Sequence, residues 1–418
     1  MGGRRLVSLL FSRAGVSNWI CRRRMSTLSV SDGSSRSTKV LPWLMLPPAV
    51  EGGQVTHNFY SLGESRVLSI RGGGDGFNID DTKFVGSSKG WLALLNKTND
   101  DLLLTNPLSQ RHLKLPPVPL NPNNIFGCVE GLITSFSPNE EEEENCRAMM
   151  IYGYELAFCC PGRSTEWTPI GSRLTNDGFN GSEVVRVYES FVYSAAQELF
   201  FCVTENSDFE AWDLRDPHSP VMIPMNDLSA DPEMYPVAYR SREELVMKYL
   251  CRMMRSLVVD EKSGQLFLVI RFVANNVDSN GSFVSPDLCY DESLPYKTID
   301  FDVHKYDPES RAFMYMDHGS SLGGDDDGLA LFIGTNHSFA ISAKDYPEGF
   351  VKPDSIYFTD DLLRNDFDDD DELDYGGHDI GIFSYKDRSF SPCYYPSDAK
   401  SFRRISPSPM WYTPTPPL

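Results

Sequence analysis

Several strings in this 418-residue chain carry side chains able to do chemistry. His378-Asp379 has the form of the paired ligands used by metal-dependent phosphohydrolases. Such sites recruit further His and Asp ligands from helices, whereas this pair opens an extended stretch, HDIGIFSYKDRSF, so no hydrolase site is assigned to it. Asn336-His337-Ser338 sets a hydroxyl beside an imidazole. Neighbours on a strand point to opposite faces, so His337 cannot readily activate Ser338; the expected role is side-chain hydrogen bonding that ties down a turn. The glycines of RGGGDGF, from Gly72 to Gly76, could let backbone approach a phosphate, but Phe77-Asn78-Ile79-Asp80 follows where the helix of a phosphate cradle should begin. That segment reads as a turn.

Cys159 and Cys160 lie in an apolar run, where cysteine behaves as a small buried hydrophobe. The nine cysteines show no repeated CxxC or Cys/His spacing, which argues against a disulfide framework or zinc module. Glu140 to Glu144, and Asp366 with Asp368 to Asp371, Glu372 and Asp374, are single-sign blocks expected to be solvated surface insertions. The second block lacks the central glycine and terminal glutamate of a calcium loop. No catalytic, metal or cofactor residue is therefore expected, and the chain is not read as an enzyme.

The elements that would position any site are extended. Past residue 40, short runs of β-branched and aromatic residues alternate with Gly, Asn, Asp, Ser and Pro clusters. Paired runs around a turn occur at 84–96, 102–117, 187–203, 256–272, 298–316, 329–342 and 379–390, with Glu261 to Gly264 forming one of the turns. The alternating helices of a parallel α/β sheet are missing. One segment breaks the pattern: Ser241 and Glu244 stand in capping-box spacing ahead of Leu245, Val246, Tyr249, Leu250, Met253 and Met254, predicting an inserted helix over 241–257 with one apolar face.

A hairpin array of this length avoids exposed edges best by closing on itself. Four-stranded blades of about 40–50 residues would give about six to eight. The fold class is thus all-β, a divergent kelch-like β-propeller; AWDL at 211–214 lacks the Gly-His partner of an orthodox WD repeat.

The ordered strings LPWLMLPP (41–48), GSSKGWLALLN (86–96), LTNPLSQRHLKLPP (104–117), FEAWDLRDP (209–217), SLVVDEKSGQLFLVIR (256–271), HKYDPESRAF (304–313), LFIGTNHSFAISAKDYP (331–347), KPDSIYFTDD (352–361) and DIGIFSY (380–385) carry a family resemblance. Together they resemble the plant F-box-associated family of unknown function, domain of unknown function two-nine-five, whose members carry a propeller. The resemblance covers residues 41–417. It departs at the start, where many members carry an F-box that docks on a ubiquitin-ligase scaffold; here LPWLMLPP follows a leader directly, as in an organellar branch of the family. Scaffold binding is therefore not expected.

Residues 1–40 hold eight Lys/Arg and one acid, Asp32, with many serines. Removing them from the totals of 38 basic and 59 acidic residues leaves 30 against 58, a balance of −28. The reversal predicts a mitochondrial transit peptide over 1–40 and a propeller domain over 41–418, with chloroplast or dual delivery as the alternative address. Arg13 interrupts the apolar stretch that a secretory signal would need. No run approaches the ~18 apolar residues of a membrane span, so no membrane insertion is expected. An acidic body repels phosphate, and RHLK (111–114) and FRR (402–404) are the only basic clusters, so nucleic acid is not an expected partner. The function expected is an organelle-imported module holding a protein partner through one propeller face or the central opening. The alternatives are a cytosolic regulator or remnant of F-box ligase adaptors, and an enzyme whose site is assembled from several blades.

Overall fold

The computed structural model describes residues 40–415 apart from 53, 73–80, 119–128, 137–144, 154, 172–173, 177–182, 206–207, 228–240, 276, 279–294, 324–327, 362–373 and 397–398. The basic leader, the Gly-rich turn after Gly72, Glu140 to Glu144 and the acidic run through Glu372 lie outside the described residues.

The hairpins form where the sequence places them. Strands β1 (Trp43–Glu51), β2 (Gln54–Ser61) and β3 (Arg66–Arg71) belong to blade 1. Blade 2 holds β4 (Thr82–Ser88), β5 (Trp91–Asn96), β6 (Leu102–Asn106) and β7 (Arg111–Lys114). Blade 3 holds β8 (Val129–Thr134), β9 (Ala148–Tyr152), β10 (Glu155–Cys159) and β11 (Thr168–Ile170). The small hairpin of β12 (Leu174–Asn176) and β13 (Glu183–Val185) precedes blade 4, which holds β14 (Tyr188–Ser194), β15 (Leu199–Thr204), β16 (Asp208–Asp213) and β17 (Val221–Asp227). Helix α1 (Arg242–Tyr249) leads into blade 5: β18 (Arg252–Asp260), β19 (Leu266–Ala274), β20 (Lys297–Asp307) and β21 (Ala312–Tyr315). Blade 6 holds β22 (Leu329–Ile333), β23 (Phe339–Ser342), β24 (Ser355–Phe358), β25 (Gly381–Ser384) and β26 (Ser389–Ser391), and β27 (Met410–Tyr412) returns to pair with β1.

Local turn chemistry explains these hairpins. Asn106 Oδ1 accepts from the Leu108 and Ser109 amides at 3.0 Å, and Asn96, Asp260 and Asp307 cap their own turns in the same way. In the β4–β5 turn Lys89 and Gly90 both have positive φ, 49° and 83°, the two-residue geometry that matches strand twist. A side chain at Gly90 would meet Thr415 Oγ1 at 2.1 Å, so this position requires glycine.

Blades 1 to 4 are separate four-stranded antiparallel sheets, whereas blades 5 and 6 are continuous through a short parallel pairing of Val259 and Asp260 with Phe339 and Ala340. The described residues make six blades, with β4, β8, β14 and β18 innermost in blades 2 to 5. Each packs on the next, and Gly86 of β4 approaches β8 so closely that a Cβ would lie 2.1 Å from the Leu132 carbonyl. Interblade cores fill the wedges: Val192, Phe201 and Phe209 of blade 4 pack with Leu257, Leu268 and Phe272 of blade 5. Leu44 and Leu46 of blade 1 pack with Phe332, Tyr357 and Ile382 of blade 6. Trp411 of β27 closes the ring, donating from Nε1 to the Tyr357 carbonyl at 3.2 Å and meeting the Phe332 ring edge-on.

The helix differs from its sequence reading. Ser241 caps it as expected, its Oγ accepting from the Glu244 amide at 3.1 Å. It ends at Tyr249, which is 88% exposed, and residues 252–260 instead form the inner strand of blade 5. Pairing overrides helical periodicity because β19 needs a partner along its whole length, from Arg252↔Val273 to Val259↔Leu266. Among the described residues no helix is long and apolar enough to cross a membrane.

Candidate functional site

Strands β4, β8, β14 and β18 all run toward the same mouth of the ring, and the residues at their ends line a cup of about 390 Å³ there. Ser87, Ser135, Ala195 and Glu261 come from blades 2, 3, 4 and 5, Phe339 from blade 6, and Trp411 from the returning strand. Lys89, at the tip of the β4–β5 turn, forms an ion pair with Glu261, at the tip of the β18–β19 turn. Thr415 holds the Lys89 turn by donating to the Lys89 carbonyl at 2.8 Å, and Tyr412 donates to the Gly90 carbonyl at 2.9 Å. Phe136, Phe339, Tyr346 and Trp411 supply apolar wall.

His337 lies in the cup's lining. Its amide donates to the Ser87 carbonyl of blade 2 at 2.8 Å, and its ring Nε2 lies 3.1 Å from the Tyr193 backbone of blade 4. The next residue, Ser338, accepts at its carbonyl from the Val259 amide of blade 5. One short segment of blade 6 therefore reaches three other blades across the axis, making a floor. Burial, reinforced by Lys89, lowers His337 to about 4, so the ring is neutral at physiological pH. The turn-tying role expected for these residues takes the form of interblade bonding, and Asn336 adds the local bond, donating to the His337 carbonyl at 2.9 Å. Ser87 Oγ, also buried, has no hydrogen-bond partner among the described residues.

Toward the other ends of the inner strands the groups are charged. Arg255 of blade 5 pairs with Glu189 of blade 4 at 3.1 Å. Glu130 of blade 3 is pushed up to about 7 by burial, against the opposing pull of Lys83 and Arg252.

His378 and Asp379 lie elsewhere, and both are engaged in packing. His378 Nε2 donates to the Tyr296 carbonyl at 3.0 Å and Nδ1 accepts from the Gly376 amide at 3.1 Å, so neither ring nitrogen is left for a metal. Asp379 Oδ2 accepts from Arg271 at 2.9 Å and from the amide and hydroxyl of Thr298 at 2.8 and 2.6 Å. Arg271 is fully buried and also pairs with Asp361 at 2.6 Å. Burial alone would lower its pKa, but Asp361, Asp379 and Asp360 outweigh that and hold it up.

Asp300, Asp302 and His318 bring possible ligand atoms within 4.8 Å of one another, a cluster that sequence spacing did not expose. The ammonium of Lys248, delivered by α1, lies 2.7 Å from Asp300 and 2.9 Å from Asp302, and Arg388 adds a contact to Asp300 at 2.7 Å. The carboxylates thus already hold two cations. Cys159 and Cys160 are buried, and burial raises the Cys159 thiol above its ordinary range. RHLK forms the outer strand of blade 2, whereas Phe402 of FRR packs on His378 beside blade 6, so the two basic strings do not join into one patch.

The KIB1-4 beta-propeller family model matches residues 59–384, and the chain belongs to that family. No curated protein matches. Among solved structures, the chain is similar to the Cps50 (Swd1) beta-propeller domain of Myceliophteria thermophila, at 10% identity over 85% of this chain and 90% of that one, with a TM-score of 0.33. The yeast Nup82-Nup159-Nup116 nucleoporin complex gives 10% identity over 76% and 80%, with a TM-score of 0.33. A fungal alcohol oxidase in complex with copper gives 8% identity over 66% and 61%, with a TM-score of 0.30.

Proposed function

We propose that this propeller is a non-enzymatic binding module, imported into mitochondria, that holds a protein partner over the mouth where its inner strands end. The observation carrying this reading is the convergence of residues from the blades on that cup, with paired charges and aromatic wall, while the side chains of His337, His378 and Asp379 serve as interblade bonds. Membership of a beta-propeller family supports a protein-interaction scaffold, and the Arg-rich leader supports the address. With a balance of −28 after residue 40, the body favours a partner presenting basic groups.

Affinity capture of the full chain from mitochondria, followed by cross-link mapping, tests this. A retained protein should cross-link around Lys89, and retention should fall as salt shortens the Debye length from about 10 Å at 0.1 M to about 3 Å at 1 M. Cross-links confined to the outer strands would move the site. A stoichiometric ubiquitin-ligase scaffold complex would favour the adaptor reading instead, and metal-dependent hydrolysis abolished by His378→Ala or Asp379→Ala would make the protein an enzyme.

A further inference from the structure

We infer that the cup at the mouth is a binding site for a small zwitterion carrying an apolar group, such as a free amino acid with an aromatic or branched side chain. This goes beyond the partner reading, since it concerns the interior of the cup whether or not a protein covers the mouth.

Three features point to that chemistry. First, a volume of about 390 Å³ lies in the range of small-ligand sites, which are mostly apolar with a few placed polar groups. Phe136, Phe339 and Trp411 meet the apolar requirement, and Trp411 offers only its ring because its Nε1–H is committed to Tyr357. Second, the cup holds one cation and one anion side by side, Lys89 and Glu261. Both are partly exposed, at 24% and 36% of their side chains, and such pairs contribute little on their own. A ligand bearing both charges exchanges that pair for two, its ammonium on Glu261 and its carboxylate on Lys89, so neither side chain is left uncompensated. A ligand with one charge would strand the other residue. Third, Ser87 Oγ in the lining is buried without a partner among the described residues, and a buried hydroxyl of this kind calls for one. A bound ammonium or carboxylate supplies it.

The positions of the two charges are set by the fold. Lys89 occupies the first place of a two-residue turn with positive φ, and that turn is clamped by Thr415 and Tyr412. Glu261 opens a turn closed by the Gly264 amide, which donates to the Asp260 carbonyl at 2.7 Å. Both tips are thus held before any ligand arrives, as preorganised recognition requires.

The test is calorimetric titration of the full chain with L-phenylalanine and L-leucine, alongside N-acetyl-L-phenylalanine, which lacks the ammonium, and L-phenylalaninamide, which lacks the carboxylate. At least one free amino acid should bind at millimolar concentration or below. The matching blocked forms should bind at least about tenfold more weakly, a loss of about 1.4 kcal/mol or more. Glu261→Gln should abolish the preference for a free ammonium, and Lys89→Met the preference for a free carboxylate. Lys89→Asn, which keeps a residue at ease with positive φ, provides the same readout if the methionine variant melts early. Absence of binding by both free amino acids, or equal binding of free and blocked forms, overturns the inference.

Discussion

The ring of His337 in blade 6 meets the backbone of Tyr193 in blade 4, 144 residues earlier, with Nε2 3.1 Å from both the amide nitrogen and the carbonyl oxygen. Burial in this floor favours the neutral ring, lowering its pKa from 6.5 to about 4. The unfolded chain therefore binds a proton here before the folded one does. The stability contributed is fully present above about pH 6.5 and is lost as pH falls toward about 4, amounting to about 3 kcal/mol. Urea denaturation from pH 7 to pH 4 should show the decline, and His337→Gln should make it shallower by about one proton's worth. His57, lowered to about 4 by burial and by His112, should keep part of the slope in that variant. An unchanged slope would place the His337 ring in water.

Glu130 carries the opposite sign. Burial raises it from 4.5 to about 7, so its folded form prefers the proton and the stability it contributes is present below about pH 4.5 and lost as pH rises through 7. Glu130→Gln should therefore stabilise the protein at pH 8 by up to about 3 kcal/mol and change little at pH 4.5. Equal effects at both pH values would show that Lys83 and Arg252 already neutralise it.

Arg271 stands between blades 5 and 6, over the Phe358 ring at 5.0 Å and against Asp361 and Asp379. Arg271→Met strands those carboxylates in a buried place and should cost about 3–5 kcal/mol. Arg271→Lys keeps the charge but not the planar fork that reaches Thr298, the Thr359 carbonyl and both aspartates at once, so it should fall between. A loss under about 1 kcal/mol for Arg271→Met would mean that water enters the junction.

Fusing residues 1–40 to a fluorescent reporter should send it to mitochondria, and Arg4→Glu, Arg5→Glu and Arg13→Glu together should weaken import, because the leader's eight basic residues face a single acid. A reporter left in the cytosol, or delivered only to plastids, would overturn the address.

Sequence alone determined the hairpins and the all-β class, because turns are made by residues that act on their immediate neighbours. Asn106, Asp260 and Asp307 cap amides two and three residues on, and Lys89-Gly90 supplies a two-residue turn with positive φ, which Thr415 and Tyr412 then clamp from the far end of the chain. It also determined the cap at Ser241, but not the end of that helix, since the competing partner of residues 252–260 is a strand whose claim is tertiary. The cup was not legible: Lys89 and Glu261 lie 172 residues apart, and Trp411 arrives only when the last strand pairs with the first. Likewise nothing near His378-Asp379 announces Arg271, 108 residues earlier, which takes up the aspartate. Ring closure decided these relationships, because it brings together side chains whose separation along the chain carries no periodic signal.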